Sequence, residues 1–179
     1  EGVRRGVLSE HGVTSDNDAR FYHNTLRQVL YDGLSPRQRK RLHLFAARAI
    51  EGIYLFEPDR IADAVSAHYE AGGNWERAFD WGIRAWQAAS SRLSWGEAMT
   101  CIERANRAAK ELAQNSGSQI APIDQLKLLF ARGETNFAVG RLNESDAVYA
   151  EAVSLARSIG DREGLATALL QQGQTRMSL

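Results

Sequence analysis

Apolar residues recur at helical spacing along most of the chain, and this periodicity constrains the fold more than any other feature. Spacings of three and four residues place side chains on one face of a helix. One such stripe consists of Leu42, Phe45, Ala46, Ala49, Ile50 and Ile53, and another of Tyr149, Ala152, Val153 and Ala156. The pattern predicts an all-α fold with helices near residues 23–32, 36–54, 58–71, 75–91, 95–113, 122–139, 144–159 and 162–177.

Proline and capping residues mark the starts of these helices. The prolines are Pro36, Pro58 and Pro122. Each stands where a helical stretch begins, at a position where the missing N–H costs nothing. Ser35 and Gln38 have the spacing of a capping box, in which each side chain bonds the backbone N–H of the other residue. Ser94 and Glu97 repeat that spacing. Further N-caps are predicted at Asn74, Asn143 and Asp161.

Small residues within the predicted helices indicate a repeated helix pair. Close helix crossings require small side chains, with a bulky neighbour to fill the adjoining space. The spacing i, i+4, i+7 occurs at Ser145-Tyr149-Ala152, at Ala98-Ile102-Ala105 and at Ala78-Gly82-Ala85. Gly133 and Gly173 lie forty residues apart in similar contexts, each a few residues after a Leu-Leu pair. A period of that length is typical of stacked helix pairs in an α-solenoid.

Composition excludes several classes of protein. The chain has 22 basic and 22 acidic side chains, so its net charge does not indicate a polyanionic partner. Its one cysteine, Cys101, excludes an intrachain disulfide and a zinc-knuckle site, and we expect a reducing, cytoplasmic location. No apolar run approaches the roughly 18 residues of a membrane span. No serine, cysteine or threonine has a nearby base and orienting group, so we expect neither catalysis nor a bound metal.

Two short segments near the N-terminus are candidate strands. Gly6-Val7-Leu8 and Arg20-Phe21-Tyr22 flank the polar stretch 15–18. Short apolar runs on either side of a polar turn predict a small β-hairpin or wing.

Three stretches of the sequence resemble large bacterial regulators of the signal-transducing ATPase (STAND) class, of the maltose-regulator-like and LuxR type. The first is FYHNTLRQVLYDGLSP at residues 21–36, which resembles the end of the winged helix in that family. The second is AHYEAGGNWERAFDWGIRAWQAA at residues 67–89. The third is GDREGLATALLQQG at residues 160–173, which resembles the first helix of the family's tetratricopeptide-like repeat.

This resemblance implies an architecture and a role. Residues 1–54 would be the C-terminal part of a winged helix and its connecting helix, and residues 55–179 would be truncated tetratricopeptide-like repeats. The sequence has no Gly-x-x-x-x-Gly-Lys-Ser/Thr loop and no second basic helix-turn-helix. We therefore expect the middle segment of a regulator, which relays the binding of an effector or partner to a missing nucleotide-binding domain. ATP or ADP would belong to that domain and not to this segment.

His23 is the candidate nucleotide sensor. In related ATPases a histidine at the start of a winged-helix helix contacts the diphosphate of ADP, and His23-Asn24-Thr25-Leu26-Arg27 resembles that motif, with Asn24 where an aspartate is usual. A helix N-terminus and an imidazole together favour an anion. A packing or capping role for His23 is the alternative.

A basic cluster follows, formed by Arg37, Arg39, Lys40 and Arg41, with His43 close behind. Residues 37, 40 and 41 share one helix face. We interpret the cluster as a surface facing another domain or solvent. Contact with a nucleic-acid backbone is less favoured, because no recognition-helix pattern accompanies it.

Two other functions stay open beside the regulatory segment. One is a free-standing helical-repeat adaptor that binds peptides or proteins, and the other is a DNA-binding winged-helix protein. Four tryptophans lie close together in the sequence: Trp75, Trp81, Trp86 and Trp95. Trp81 and Trp86 could be stacking platforms for a ligand, although core and inter-repeat packing is the more usual role at such spacing.

Overall fold

The described residues are almost entirely helical, as predicted. The computed structural model describes residues 8–10, 19–21, 24–54, 56–115 and 120–179. Within these ranges the helices are α1 (Asn24–Asp32), α2 (Pro36–Ile53), α3 (Pro58–Gly72), α4 (Trp75–Ser91), α5 (Trp95–Asn115), α6 (Pro122–Ala138), α7 (Leu142–Ile159) and α8 (Arg162–Met177). Strands β1 (Leu8–Glu10) and β2 (Ala19–Phe21) pair antiparallel, with Leu8 opposite Phe21. The interpretation of this hairpin as the wing of a winged helix stays a prediction.

The protein divides into two compact units, residues 1–42 and 43–179, and the division falls inside α2. The first unit contains the strand pair, α1 and the beginning of α2. In the second unit each helix from α3 to α8 packs against the next one in sequence. The boundary near residue 54 rests on the family resemblance and stays a prediction.

Four turns in the second unit share one design. In each, a residue with positive φ donates its N–H to the carbonyl three residues earlier, and the following residue donates to the carbonyl five residues earlier. This is the Schellman motif, which satisfies the last carbonyls of a helix. The positive-φ residues are Gly73, Leu93, Gly140 and Gly160. The number of residues from Gly73 to Gly140 equals the number from Leu93 to Gly160. The same helix-turn-helix geometry therefore recurs in the second unit.

The caps predicted at Ser35, Asn74 and Asp161 are confirmed, whereas the capping box predicted at Ser94 and Glu97 is wrong, because Glu97 bonds Arg92 and not Ser94. Gln38 Oε1 accepts from the Ser35 N–H at 2.9 Å, and Ser35 Oγ accepts from the Gln38 N–H at 3.4 Å. Asn74 and Asp161 accept from N–H groups three residues on, at 3.1 and 2.9 Å. The N-cap predicted at Asn143 was wrong. The turn at Gly140 starts α7 at Leu142, and its N-cap is Arg141, whose side chain does not cap the helix.

Close approach at small residues determines how the helices meet. A Cβ on Gly133 of α6 would lie 2.6 Å from the ring of Tyr149 on α7, and one on Gly82 of α4 would lie 3.0 Å from the Ala105 Cβ on α5. Ala152, on the same face of α7 as Tyr149, is completely buried. The i, i+4, i+7 spacing predicted close helix contacts at its small residues, and Gly82 and Ala105 form such a contact.

Gly133 and Gly173 provide a matched test of this packing. Gly133→Ala should lower the free energy of unfolding by about 1–3 kcal/mol, because the added Cβ would overlap the ring of Tyr149, which is only 2% exposed. Gly173→Ala should leave stability unchanged or raise it by up to about 1 kcal/mol, because a Cβ there meets nothing within 4 Å.

The measurement is urea unfolding followed by circular dichroism, with the wild type, Gly133→Ala and Gly173→Ala compared under the same conditions. Equal midpoints for the two variants would contradict the close crossing of α6 and α7.

Candidate functional site

The second unit contains a groove formed by three consecutive helices, and we call it the α5–α7 groove. Helix α6 packs against both α5 and α7, so it forms the floor between two walls. The groove consists of two adjoining pockets of about 380 and 320 Å³. Three residues line both pockets, one from each helix: Asn106 of α5, Arg132 of α6 and Glu151 of α7.

Polar side chains in this groove lack partners. Among the described residues, nothing forms an ion pair or a side-chain hydrogen bond with Arg132, Asn106 or Asn136, although all three are half-buried. None of the polar atoms of these three side chains is buried without a partner, so these groups reach the solvent in the groove. The groove therefore presents hydrogen-bonding capacity that this part of the protein does not use.

A second groove, between α3 and α5, differs in this respect. Its floor is made of Ala85, Ala88 and Ala89, and its volume is about 470 Å³. Every charged residue that lines it already has an ion-pair partner. The pairs are Asp59–Arg84 at 2.8 Å, Arg60–Glu57 at 2.9 Å, Arg92–Glu97 at 3.3 Å, and Asp63–Arg104. The α5–α7 groove thus differs from the groove between α3 and α5, because it contains polar side chains that have no partner among the described residues.

The sequence-predicted site residues lie elsewhere. His23 lies outside the described residues. Arg37, Lys40 and Arg41 are exposed on α2. Arg39 has a local structural role: it donates to the carbonyls of Leu34 and Asp32 at 3.0 and 2.7 Å and so satisfies the end of α1. Its guanidinium also lies 4.9 Å from the centre of the Tyr31 ring.

Two histidines that are far apart in the sequence are in contact. Nδ1 of His43 on α2 lies 2.9 Å from Nδ1 of His68 on α3. One of these nitrogens must donate and the other accept, so the two rings cannot both carry a proton there. Burial, and secondarily the proximity of His43, lowers the pKa of His68. The sequence carried no signal of this pair, because spacing along one helix does not relate positions on two.

Three of the four tryptophans pack against the protein's own apolar residues. Trp75, Trp81 and Trp86 lie against the main apolar core. The Trp86 indole N–H donates to Thr135 Oγ1 at 2.8 Å, which connects α4 to the floor of the α5–α7 groove. Thr135 in turn donates to the Ala131 carbonyl at 2.7 Å.

The described residues were compared with the geometry of a metal site, and Cys101 with that of a reactive thiol. No group of three or more His, Cys, Asp or Glu side chains there is arranged to hold a metal ion. Cys101 is buried, and its thiol lies 3.5 Å from Asp63 Oδ1. Burial first, and then the nearby Asp63 carboxylate, raises the pKa of Cys101 to about 12. Within the same described ranges, no helix is both long and apolar enough to cross a membrane.

Comparison of the sequence with protein-family models, with curated proteins and with solved structures gives no match. The site is therefore defined by its own geometry. Sequence reasoning did not identify the α5–α7 groove, although one signal was present. Asn106 and Asn136 stand inside helices, where asparagine is unfavourable, and neither serves as a cap.

The state of Cys101 leads to a testable expectation. At pH 8 the native protein should react with dithionitrobenzoate far more slowly than unfolded protein, because a thiol with a pKa of about 12 is almost wholly protonated and Cys101 is buried. The measurement is the absorbance of released thionitrobenzoate, with the same protein in guanidinium chloride as the control. Equal rates in the two states would contradict this placement of Cys101.

The histidine pair should make stability depend on pH. The pKa of His68 is lower in the folded state than its ordinary value near 6.5, so the unfolded state takes up this proton more readily. The contribution of uncharged His68 to the free energy of unfolding is therefore present above about pH 6.5. It is lost as the pH falls toward the pKa of His68 in the folded state. As the pH is lowered from 8 to 5, the wild type should therefore lose more unfolding free energy than His68→Gln does. A difference that does not vary with pH would contradict the pairing.

Proposed function

We propose that this protein is a regulatory, protein-interaction segment whose helical array binds a partner segment in the α5–α7 groove. The observation that carries the proposal is the set of half-buried polar side chains without partners among the described residues, Arg132, Asn106 and Asn136. Their unused hydrogen bonds favour a ligand that supplies them. The open groove between two helices suits a peptide segment that runs along it, because backbone groups of such a segment can bond to the walls.

The sequence resemblance gives this interaction a context. We propose that the segment belongs to an ATP-dependent transcriptional regulator of the STAND class or a related signalling protein, located in the cytoplasm. Residues 1–54 would be the winged-helix end and residues 55–179 the tetratricopeptide-like repeats. The motif at residues 21–36 supports the first assignment. The four Schellman turns and the close crossing at Gly133 and Tyr149 support the second.

The proposed mechanism is a shift in population between two arrangements of the larger protein. Partner binding in the groove would favour one arrangement relative to the nucleotide-binding domain that the resemblance implies, to the extent that the partner binds one arrangement more tightly. His23 would meet ADP from that domain, and Arg37, Lys40 and Arg41 would form an interdomain surface. In this proposal the segment itself is not an enzyme and holds no cofactor or metal.

The interaction is tested by blocking the groove. Peptides selected from a random library for binding to the wild-type protein should lose at least about tenfold in affinity for Ala147→Arg. Ala147 is exposed and lines the groove, so an arginine there occupies the space of the ligand. The matched control is Ala166→Arg, which replaces an exposed alanine on α8 outside the groove.

Affinity is measured by isothermal titration calorimetry, and hydrogen exchange locates the bound peptide, with protection expected in α5, α6 and α7. Equal affinity of all selected peptides for the two arginine variants would overturn the proposal.

A further inference from the structure

One face of helix α2 is both apolar and exposed, and we call it the outer stripe of α2. Its large side chains, Leu42, Phe45 and Ile53, are 47%, 72% and 73% exposed. With Ala49 between them they have spacings of three and four residues, which place all four on one side of a continuous helix. Ala47, which is fully buried in the main apolar core, lies on the opposite side. Single exposed apolar residues are common, but a continuous row of them indicates an interaction surface.

A row of arginines follows one edge of the outer stripe. Arg37, Arg41 and Arg48 are exposed, and spacings of four and seven residues place them on one line along the helix. None of the three forms an ion pair or a side-chain hydrogen bond with any described residue. The acidic residue of α2, Glu51, bonds Arg77 of α4 at 2.6 Å. The outer stripe is therefore edged by positive charge that α2 itself does not neutralise.

A second copy of the chain does not supply the missing carboxylates. If two α2 helices paired antiparallel through their outer stripes, each edge would face the same edge of the other copy, so the two arginine rows would meet. In a parallel pair the arginine row would face the other edge of the stripe, where Arg39, Ala46 and Ile50 lie. Neither arrangement brings a carboxylate to the arginines, and like charges that face each other destabilise a helix pair. The charges therefore favour an acidic partner over self-association.

The shape of the outer stripe favours a helix over a lipid surface. Ala49 is small, and it lies between the large side chains of Phe45 and Ile53. The space beside it continues at Gly52, where a Cβ would meet nothing within 4 Å. Such a hollow between large side chains accepts the ridge of a second helix. A lipid surface has no ridge to fill a hollow, and helices that lie on membranes present bulky apolar side chains along their whole apolar face.

We infer that the outer stripe of α2 binds an amphipathic helix whose apolar side is edged by aspartate or glutamate. Phe45 and Ile53 pack against the apolar side chains of that helix, and Arg41 and Arg48 pair with its carboxylates. The outer stripe shares no residue with the α5–α7 groove, so the inference goes beyond the proposed function and does not depend on it. Because the contact is one helix wide, we expect micromolar affinity.

The experiment uses two pools of fluorescein-labelled helical peptides that share an apolar stripe varied among leucine, isoleucine, phenylalanine and alanine. The positions that edge this stripe are glutamate in one pool and lysine in the other, and the remaining positions are alanine and glutamine. Binding to the whole protein is measured by fluorescence polarisation at low and at high salt. We expect the glutamate pool to bind at least about tenfold more tightly than the lysine pool at low salt, with a smaller difference at high salt.

Charge reversal on α2 should exchange this preference. In the double variant Arg41→Glu/Arg48→Glu, the lysine pool should bind more tightly than the glutamate pool, a result that misfolding would not produce. The matched control is Arg157→Glu/Arg162→Glu, which reverses two exposed arginines of α7 and α8 and should keep the preference for glutamate. Phe45→Ser should weaken both pools without unfolding the protein, because this side chain is 72% exposed.

Three results would overturn the inference. Equal affinity of the two pools for the wild type, or an equal change in the two double variants, would show that the arginine row does not select the partner. If neither pool binds, and vesicles that contain phosphatidylserine bind in a way that Phe45→Ser abolishes, the occupant is a lipid surface. If neither pool binds, and sedimentation velocity shows a dimer that Phe45→Ser abolishes, the occupant is a second copy.

Discussion

Close approach of helices at residues with little or no side chain is the constraint on which the second unit depends. At Gly133 the α6 backbone lies directly against the Tyr149 ring, and at Gly82 the α4 backbone lies against Ala105. Hydroxyl groups also join neighbouring helices: Ser145 Oγ of α7 donates to the Gly133 carbonyl of α6 at 2.9 Å, and Ser66 Oγ of α3 donates to the Ala78 carbonyl of α4 at 3.0 Å. A buried hydroxyl needs such an acceptor, so the crossing geometry and the hydrogen bond require each other.

Charged residues add a second set of links between neighbouring helices. Arg77 of α4 bonds Glu51 of α2 at 2.6 Å, Arg107 of α5 bonds Glu70 of α3 at 2.9 Å, and Arg176 of α8 bonds Asp146 of α7 at 2.7 Å. The arginines are largely exposed, so each pair contributes at most about 1 kcal/mol. Their effect is on alignment more than on stability, since a shift of one helix along the next would separate the paired charges. The apolar core supplies the greater part of the free energy.

The limits of sequence-based prediction follow from which features are local. Helix positions were predicted closely because prolines, caps and apolar spacing act within a few residues, as at Pro36 and Asn74. Asn143 was mistaken for a cap because the Schellman turn at Gly140 starts α7 earlier, and nothing in the residue types separates those two starts. The contact of His43 with His68 was not predictable at all, because it depends on how two helices align after folding. The hydrogen bonds of Arg39 were not predicted either, because they depend on how the turn brings α2 back to the carbonyls of Asp32 and Leu34.

The α5–α7 groove shows this limit most clearly, since its defining property is the lack of partners among the described residues. A lone sequence shows that Arg132 is charged, but not that every nearby carboxylate in this part of the protein is out of reach. That fact emerges only when three helices are in place. It also links the groove to the rest of the unit: Thr135, three residues after Arg132 on α6, receives the Trp86 indole hydrogen bond from α4. A ligand that draws on Arg132 therefore acts on a helix held on one side by the Tyr149 contact and on the other by Trp86.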